Sequence, residues 1–126
     1  MPQTQSSEVG STLDPYGLRR VIHPRGSLPQ QAESVDPTLP LGPDELGIEV
    51  ECLNIDSASF HQIAEQNSGD LAKIETHILE LVKKRGKHHN PVTGSGGMLI
   101  GRVTYVGPRF PVAEKPVRVG DRIATL

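Results

Sequence analysis

Aromatic side chains are scarce in this chain of 126 residues, which has two Phe, two Tyr and no Trp. A core can form, but it must be built from Val, Ile and Leu, and it will be modest. Cysteine is scarcer still: with Cys52 alone, an internal disulfide and any multi-cysteine zinc site are excluded. No apolar stretch approaches the ~18 to 20 residues that a membrane span requires. The N-terminus also lacks the charged start and apolar run of a secretory signal. A soluble cytoplasmic protein with no membrane contact is therefore expected. Charge of one sign is missing too, since thirteen basic and fifteen acidic residues leave a net charge of −2. That balance argues against a nucleic-acid partner, which would need a basic face to displace counterions from phosphates. The short basic run KKRGKHH (83–89) falls at a predicted helix end, where it complements the helix dipole.

Turn-forming residues are what the chain has in quantity, with 13 Gly and 11 Pro. They predict many turns while staying short of the disordered range, and the length suits one domain. Residues 1–15 are polar without an apolar period and read as a flexible arm; the domain proper is expected over 16–126. Prolines 24, 29, 37, 40 and 43 exclude a helix from the next segment, leaving only LRRVI (18–22) as a strand. LGIEVECLNI (46–55) alternates as a half-buried strand, with Ile48, Val50, Cys52 and Asn54 on one face and Cys52 a small core residue. A short helix is predicted over 56–66, capped by Asp56 or Ser57, with Phe60, Ile63 and Ala64 on one face. A clearer helix follows over 67–86. Its apolar positions are Leu71, Ile74, Ile78, Leu81 and Val82, and Gly86 supplies the stop. Strands are predicted at 98–107 and within 118–126. The apolar ending IATL, without cap or tail, leads us to expect a longer parent protein.

The stretch NPVTGSGGMLIGRVTYVG (90–107) holds five glycines and then becomes strand. A Walker phosphate loop would need a lysine and a following helix, and a dinucleotide fingerprint must also open a helix. Neither condition is met. Glycines 94, 96 and 97 instead read as positions of positive φ or close backbone approach, and Gly101 as a bulge or barrel corner. Thr93 and Ser95 lie at the mouth of that wall and could offer hydroxyls to a ligand.

IEVECLNIDSASF, GSGGMLIGRVTYVGP and VRVGDRIATL, in that order, resemble the N-terminal GroES-like domain of the medium-chain dehydrogenases/reductases. GLRRVIHPRGSLPQ, LNIDSASFHQI, NPVTGSGGMLIG and VGDRIATL bring the chain nearer to one family within it, the L-erythro-3,5-diaminohexanoate dehydrogenases. The resemblance implies a mainly β fold with inserted helices (α+β), a GroES-like distorted barrel incomplete at its C-terminus. It also implies NAD-dependent oxidative deamination of a small diamino acid in lysine fermentation, giving 5-amino-3-oxohexanoate and ammonia. NAD would bind a Rossmann domain that this chain does not contain, so the segment alone would be inactive. A homo-oligomer of the full-length protein is a further expectation. The zinc ligands of the alcohol dehydrogenases are not matched: Asn54 stands at the cysteine position, and Gly97 and Met98 stand where His and Glu would be. No catalytic zinc is expected. Two rivals remain, a non-catalytic stand-alone GroES-like binding or assembly module and another zinc-free reductase of the superfamily.

Amine oxidation needs a base and a partner for the substrate's charge. Asp56 is the candidate for both, although as a helix cap it would need neither role. Asn54, Ser57, Thr93 and Ser95 are candidate substrate contacts. His61 could shuttle a proton but reads as a surface residue, as do the adjacent loop histidines His88 and His89. Asp121 in VGD reads as turn chemistry.

Overall fold

The computed structural model describes residues 13–125, so most of the predicted arm lies outside it. Gly17, at φ 69°, leads into a 3-10 turn at Leu18–Arg20. Strand β1 (Val21–His23) follows and pairs antiparallel with β2 (Ser34–Val35). The predicted strand LRRVI is thus half turn, because the left-handed glycine starts a tight coil that occupies its first three residues. Next come β3 (Leu46–Ile55), helix α1 (Ser57–Gln66), helix α2 (Leu71–Arg85), β4 (Gly97–Val106) and β5 (Arg122–Ala124).

Strands β3, β4 and β5 form an antiparallel sheet in that order, separate from the β1–β2 pair. The fold is a mixture of strand and helix. Among the described residues the two sheets do not close into a barrel, so the expected barrel is not formed by this segment. No described helix is long and apolar enough to cross a membrane.

β3 has its predicted bounds but not its predicted faces. The register against β4 slips between Val50 and Cys52, which inserts Glu51 as a bulge and breaks the alternation. Val50 is 52% exposed and Cys52 is exposed, so Cys52 is no core residue. Glycine makes the close pairing possible. A Cβ at Gly101 would stand 2.6 Å from the Glu49 carbonyl oxygen, and one at Gly97 would collide with that of Asn54. The glycine run is therefore a tightly paired wall that turns at Gly94, whose φ is +70°.

Asp56 caps α1 by accepting from the Ser59 N–H, and Asp70 caps α2 by accepting from the Lys73 N–H. Gly86, at φ 74°, ends α2 with its N–H on the Val82 carbonyl. The second helix starts four residues later than predicted because Ser68 and Gly69 both take positive φ and turn the chain between the helices. Its predicted apolar face is narrower too: Ile74 is buried and Ile78, Leu81 and Val82 are half-buried, while Leu71 is 74% exposed. Val21, Ala32, Ile63, Ile74 and Val103 form the buried apolar core.

Ionic and backbone contacts tie the proline-rich segment to the rest. The Arg20 guanidinium grips Glu45 through Nε (2.9 Å) and Nη2 (2.8 Å) and donates to the carbonyls of Asp36, Thr38 and Pro40. Arg85 reaches the Glu33 carbonyl, and Lys87 those of Pro29 and Gln30. The basic run thus does two jobs, since Lys83, Lys84 and Arg85 also sit in the last turn of α2.

Candidate functional site around Asp56

The end of β3 and the start of β4 are paired, with Asn54 opposite Met98 and Ile55 opposite Gly97. This pairing brings the two predicted site segments to one end of the sheet. Just before β4 the chain makes its own narrow turn. His89 bridges Gly96, the Asn90 N–H donates to the Ser95 carbonyl (2.8 Å), and the Gly94 N–H donates to that of Asn90 (2.8 Å). Thr93 and Ser95 stand on this turn with their hydroxyls 2.5 Å apart, so each is the other's partner. Asn54 and Ser57 are exposed.

Asp56 takes the capping role that the sequence allowed it. Its Oδ2 accepts the Ser59 N–H (3.1 Å), which is the cap, while its Oδ1 is buried and has no protein partner. A buried carboxylate oxygen left unpaired carries a desolvation cost that a ligand's donor can offset.

Behind Asp56 lies a buried polar cluster that sequence reasoning missed. Ser59 is fully buried; its Oγ accepts from Asn90 Nδ2 (3.1 Å) and lies 3.4 Å from His88 Nε2. Asn90 Nδ2 also donates to Gln62 Oε1 (2.9 Å), and Asn90 Oδ1 accepts from the Val92 N–H (2.9 Å). His88 is only 8% exposed, and its Nδ1 is buried without a partner. The reading of His88 as a solvated loop residue is therefore wrong, because the turn at 89–96 folds it against α1. Burial pushes the His88 imidazole below its ordinary value, and the nearby Asp56 charge partly offsets this. His89 is half-buried, with Nδ1 3.1 Å from Arg85 Nη1, and is also pushed down, first by burial and then by the positive charges of Lys87 and Arg85.

The available signal for this cluster was Ser59 itself. It lies one helical turn before Ile63 on the inward face of α1, where a polar residue needs a partner. His61 is exposed and faces Glu65 at 3.2 Å, as a surface residue should. Asp121 accepts the Arg118 N–H beside Gly120, which is turn chemistry. Among the described residues no group of three or more His, Cys, Asp or Glu is placed to hold a metal ion.

A carboxylate oxygen without a protein partner, backed by an imidazole held towards its neutral form, suits a small cationic group such as an ammonium. A family model described as the N-terminal domain of L-erythro-3,5-diaminohexanoate dehydrogenase matches residues 19–126. The chain belongs to that family. Curated L-erythro-3,5-diaminohexanoate dehydrogenases of Acetoanaerobium sticklandii and Fusobacterium nucleatum subsp. nucleatum are each 50% identical to it over 111 residues. The match covers 88% of this chain and 32% of each relative, so the chain spans about a third of the length of these proteins. All the cluster residues, Asp56, Ser59, Gln62, His88 and Asn90, fall within the family's N-terminal domain.

Proposed function

We propose that this chain is the substrate-side domain of a dehydrogenase acting on L-erythro-3,5-diaminohexanoate. The full-length protein would convert the β-amine to the ketone, 5-amino-3-oxohexanoate, and release ammonia, with NAD as oxidant and water as the source of oxygen. That is a step of lysine fermentation in the cytoplasm. The GroES-like lineage is part of the same reading, supported by the Val103–Gly107 spacing and the VGDRIA turn.

The dinucleotide does not fit the residues described here. All the paired strands are antiparallel, and the glycine run leads into a strand instead of a helix N-terminus. No hydride step is assigned to this chain. Its own residues bind and orient the substrate: Asp56 Oδ1 receives the reacting ammonium, and Asn54, Ser57, Thr93 and Ser95 line the approach.

The observation that carries this reading is the buried, unpaired Asp56 Oδ1 in a member of this family. The test is Asp56→Asn in the full-length protein. Asn caps helices as well as Asp does, so the change removes the charge and keeps the fold. A lost charge-assisted hydrogen bond of roughly 1.5–3 kcal/mol predicts kcat/KM for diaminohexanoate lower by about ten- to a hundredfold. Unchanged kcat/KM would remove Asp56 from the site. A folded full-length protein that forms no NADH with this substrate would favour the non-catalytic module.

A further inference from the structure

We infer that His88 is a positioning residue for Asp56, acting through Ser59 to hold the carboxylate free for the substrate's ammonium; this rests on the function proposed above. The link runs through the two ends of one residue. The Ser59 N–H holds Asp56 Oδ2, and the Ser59 hydroxyl meets His88 Nε2. Asn90 already donates to that hydroxyl oxygen, so Ser59 keeps a proton and one lone pair for the imidazole. A displaced His88 would shift Ser59 and, with it, the first turn of α1 that fixes Asp56.

The charge on His88 matters as much as its place. Among the described residues, Asp56 at the head of α1 is the anion acting on it. The other α1 groups at the cluster, Ser59 and Gln62, are neutral. Lys87 and His89 flank it on its own segment, and Arg85 at the end of α2 pairs with His89. Lys87 is turned away onto the carbonyls of Pro29 and Gln30. A proton taken up by His88 therefore finds Asp56 as its counter-charge. The imidazolium so formed would draw on the carboxylate that the substrate needs, so neutral His88 is the working form. Among the described residues, the two side-chain atoms left buried without partners, Asp56 Oδ1 and His88 Nδ1, belong to these same two side chains.

The experiment is the pH dependence of kcat/KM in the full-length protein and in its His88→Gln variant. The parent should lose activity on the acid side along one ionisation below 6.5, the ordinary imidazole value. His88→Gln should abolish that limb and lower the plateau roughly tenfold, mainly in kcat/KM. A variant with the parent's pH profile would overturn the inference, including one that has lost only thermal stability. Should His88→Gln fail to fold, nitrogen-15 NMR titration of the His88 ring in the parent and in Asp56→Asn decides instead. Removing the neighbouring anion should lower the His88 midpoint, and an unmoved midpoint overturns the inference. This titration needs no turnover. Absent activity with a shifted midpoint defeats the functional reading and leaves the His88–Asp56 coupling standing, whereas activity with an unmoved midpoint defeats the coupling.

Discussion

Glu45 shows how a single side chain can hold a segment that has little core of its own. It accepts two hydrogen bonds from Arg20 and one from the Gly42 N–H, and these contacts, led by the Arg20 bond, hold its carboxyl down to about 2 from an ordinary 4.5. A depressed carboxyl stabilises the fold above its unfolded value and loses that contribution as pH falls through its folded value. The window here runs from about 4.5 down to about 2. Thermal unfolding should therefore separate Glu45→Gln from the parent at pH 7 and bring the two together as pH approaches 2. Equal midpoints at pH 7 would show that the Arg20 grip adds nothing. Asp56 was readable at this scale because capping and charge chemistry are local to its sequence. His88 was not, because its burial depends on Ser59, 29 positions away.

Strand β3 was legible to the residue in its bounds, since Ile48 and Val50 alternate with Glu49 and Glu51 at the centre of a run rich in apolar residues. The faces were not legible, because a bulge depends on the partner strand and leaves no mark on the bulged one. Its counterpart in β4 is Gly101, where a side chain would meet the backbone of Glu49 and the Ile48 methyl. Gly101→Ala must push the strands apart, at a cost of about 1–3 kcal/mol for overpacking. Urea unfolding would read this directly, and an unchanged midpoint would mean that the pairing is loose there. The helix stops were equally clear at Gly86 and equally hidden at Ser68, a non-glycine residue in a left-handed conformation that its own chemistry does not announce.

At the scale of the molecule, the family was legible, and the separation of the two sheets where a barrel was expected was not. Motifs such as NPVTGSGGMLIG are local strings, whereas barrel closure is a relation between strand edges, and the two sheets here keep theirs apart. The antiparallel pairing also sets what residues 13–125 can do alone, since they contain no parallel strand–helix–strand unit for a dinucleotide. On the function proposed above, the 126-residue chain supplied with NAD and diaminohexanoate should by itself yield no NADH. Turnover by the isolated chain would place a dinucleotide site where none is expected.

The adjacency of Ile55 and Gly97 has an architectural consequence. The chain departs from the sheet and comes back to it at neighbouring points, so both helices and the glycine turn form a loop with a closed neck. A loop of this kind behaves as a cassette, since a change in its length adds little to the entropy of closing the neck between the strands that anchor it. Asp56, Ser59, His88 and Asn90 all ride on the cassette, whereas Glu49, Gly101 and Val103 belong to the frame. Because Ile63 and Ile74 of the core also lie on the cassette, selection acting on folding would fall on both stretches, whereas selection acting on the Asp56 cluster would fall on the cassette alone.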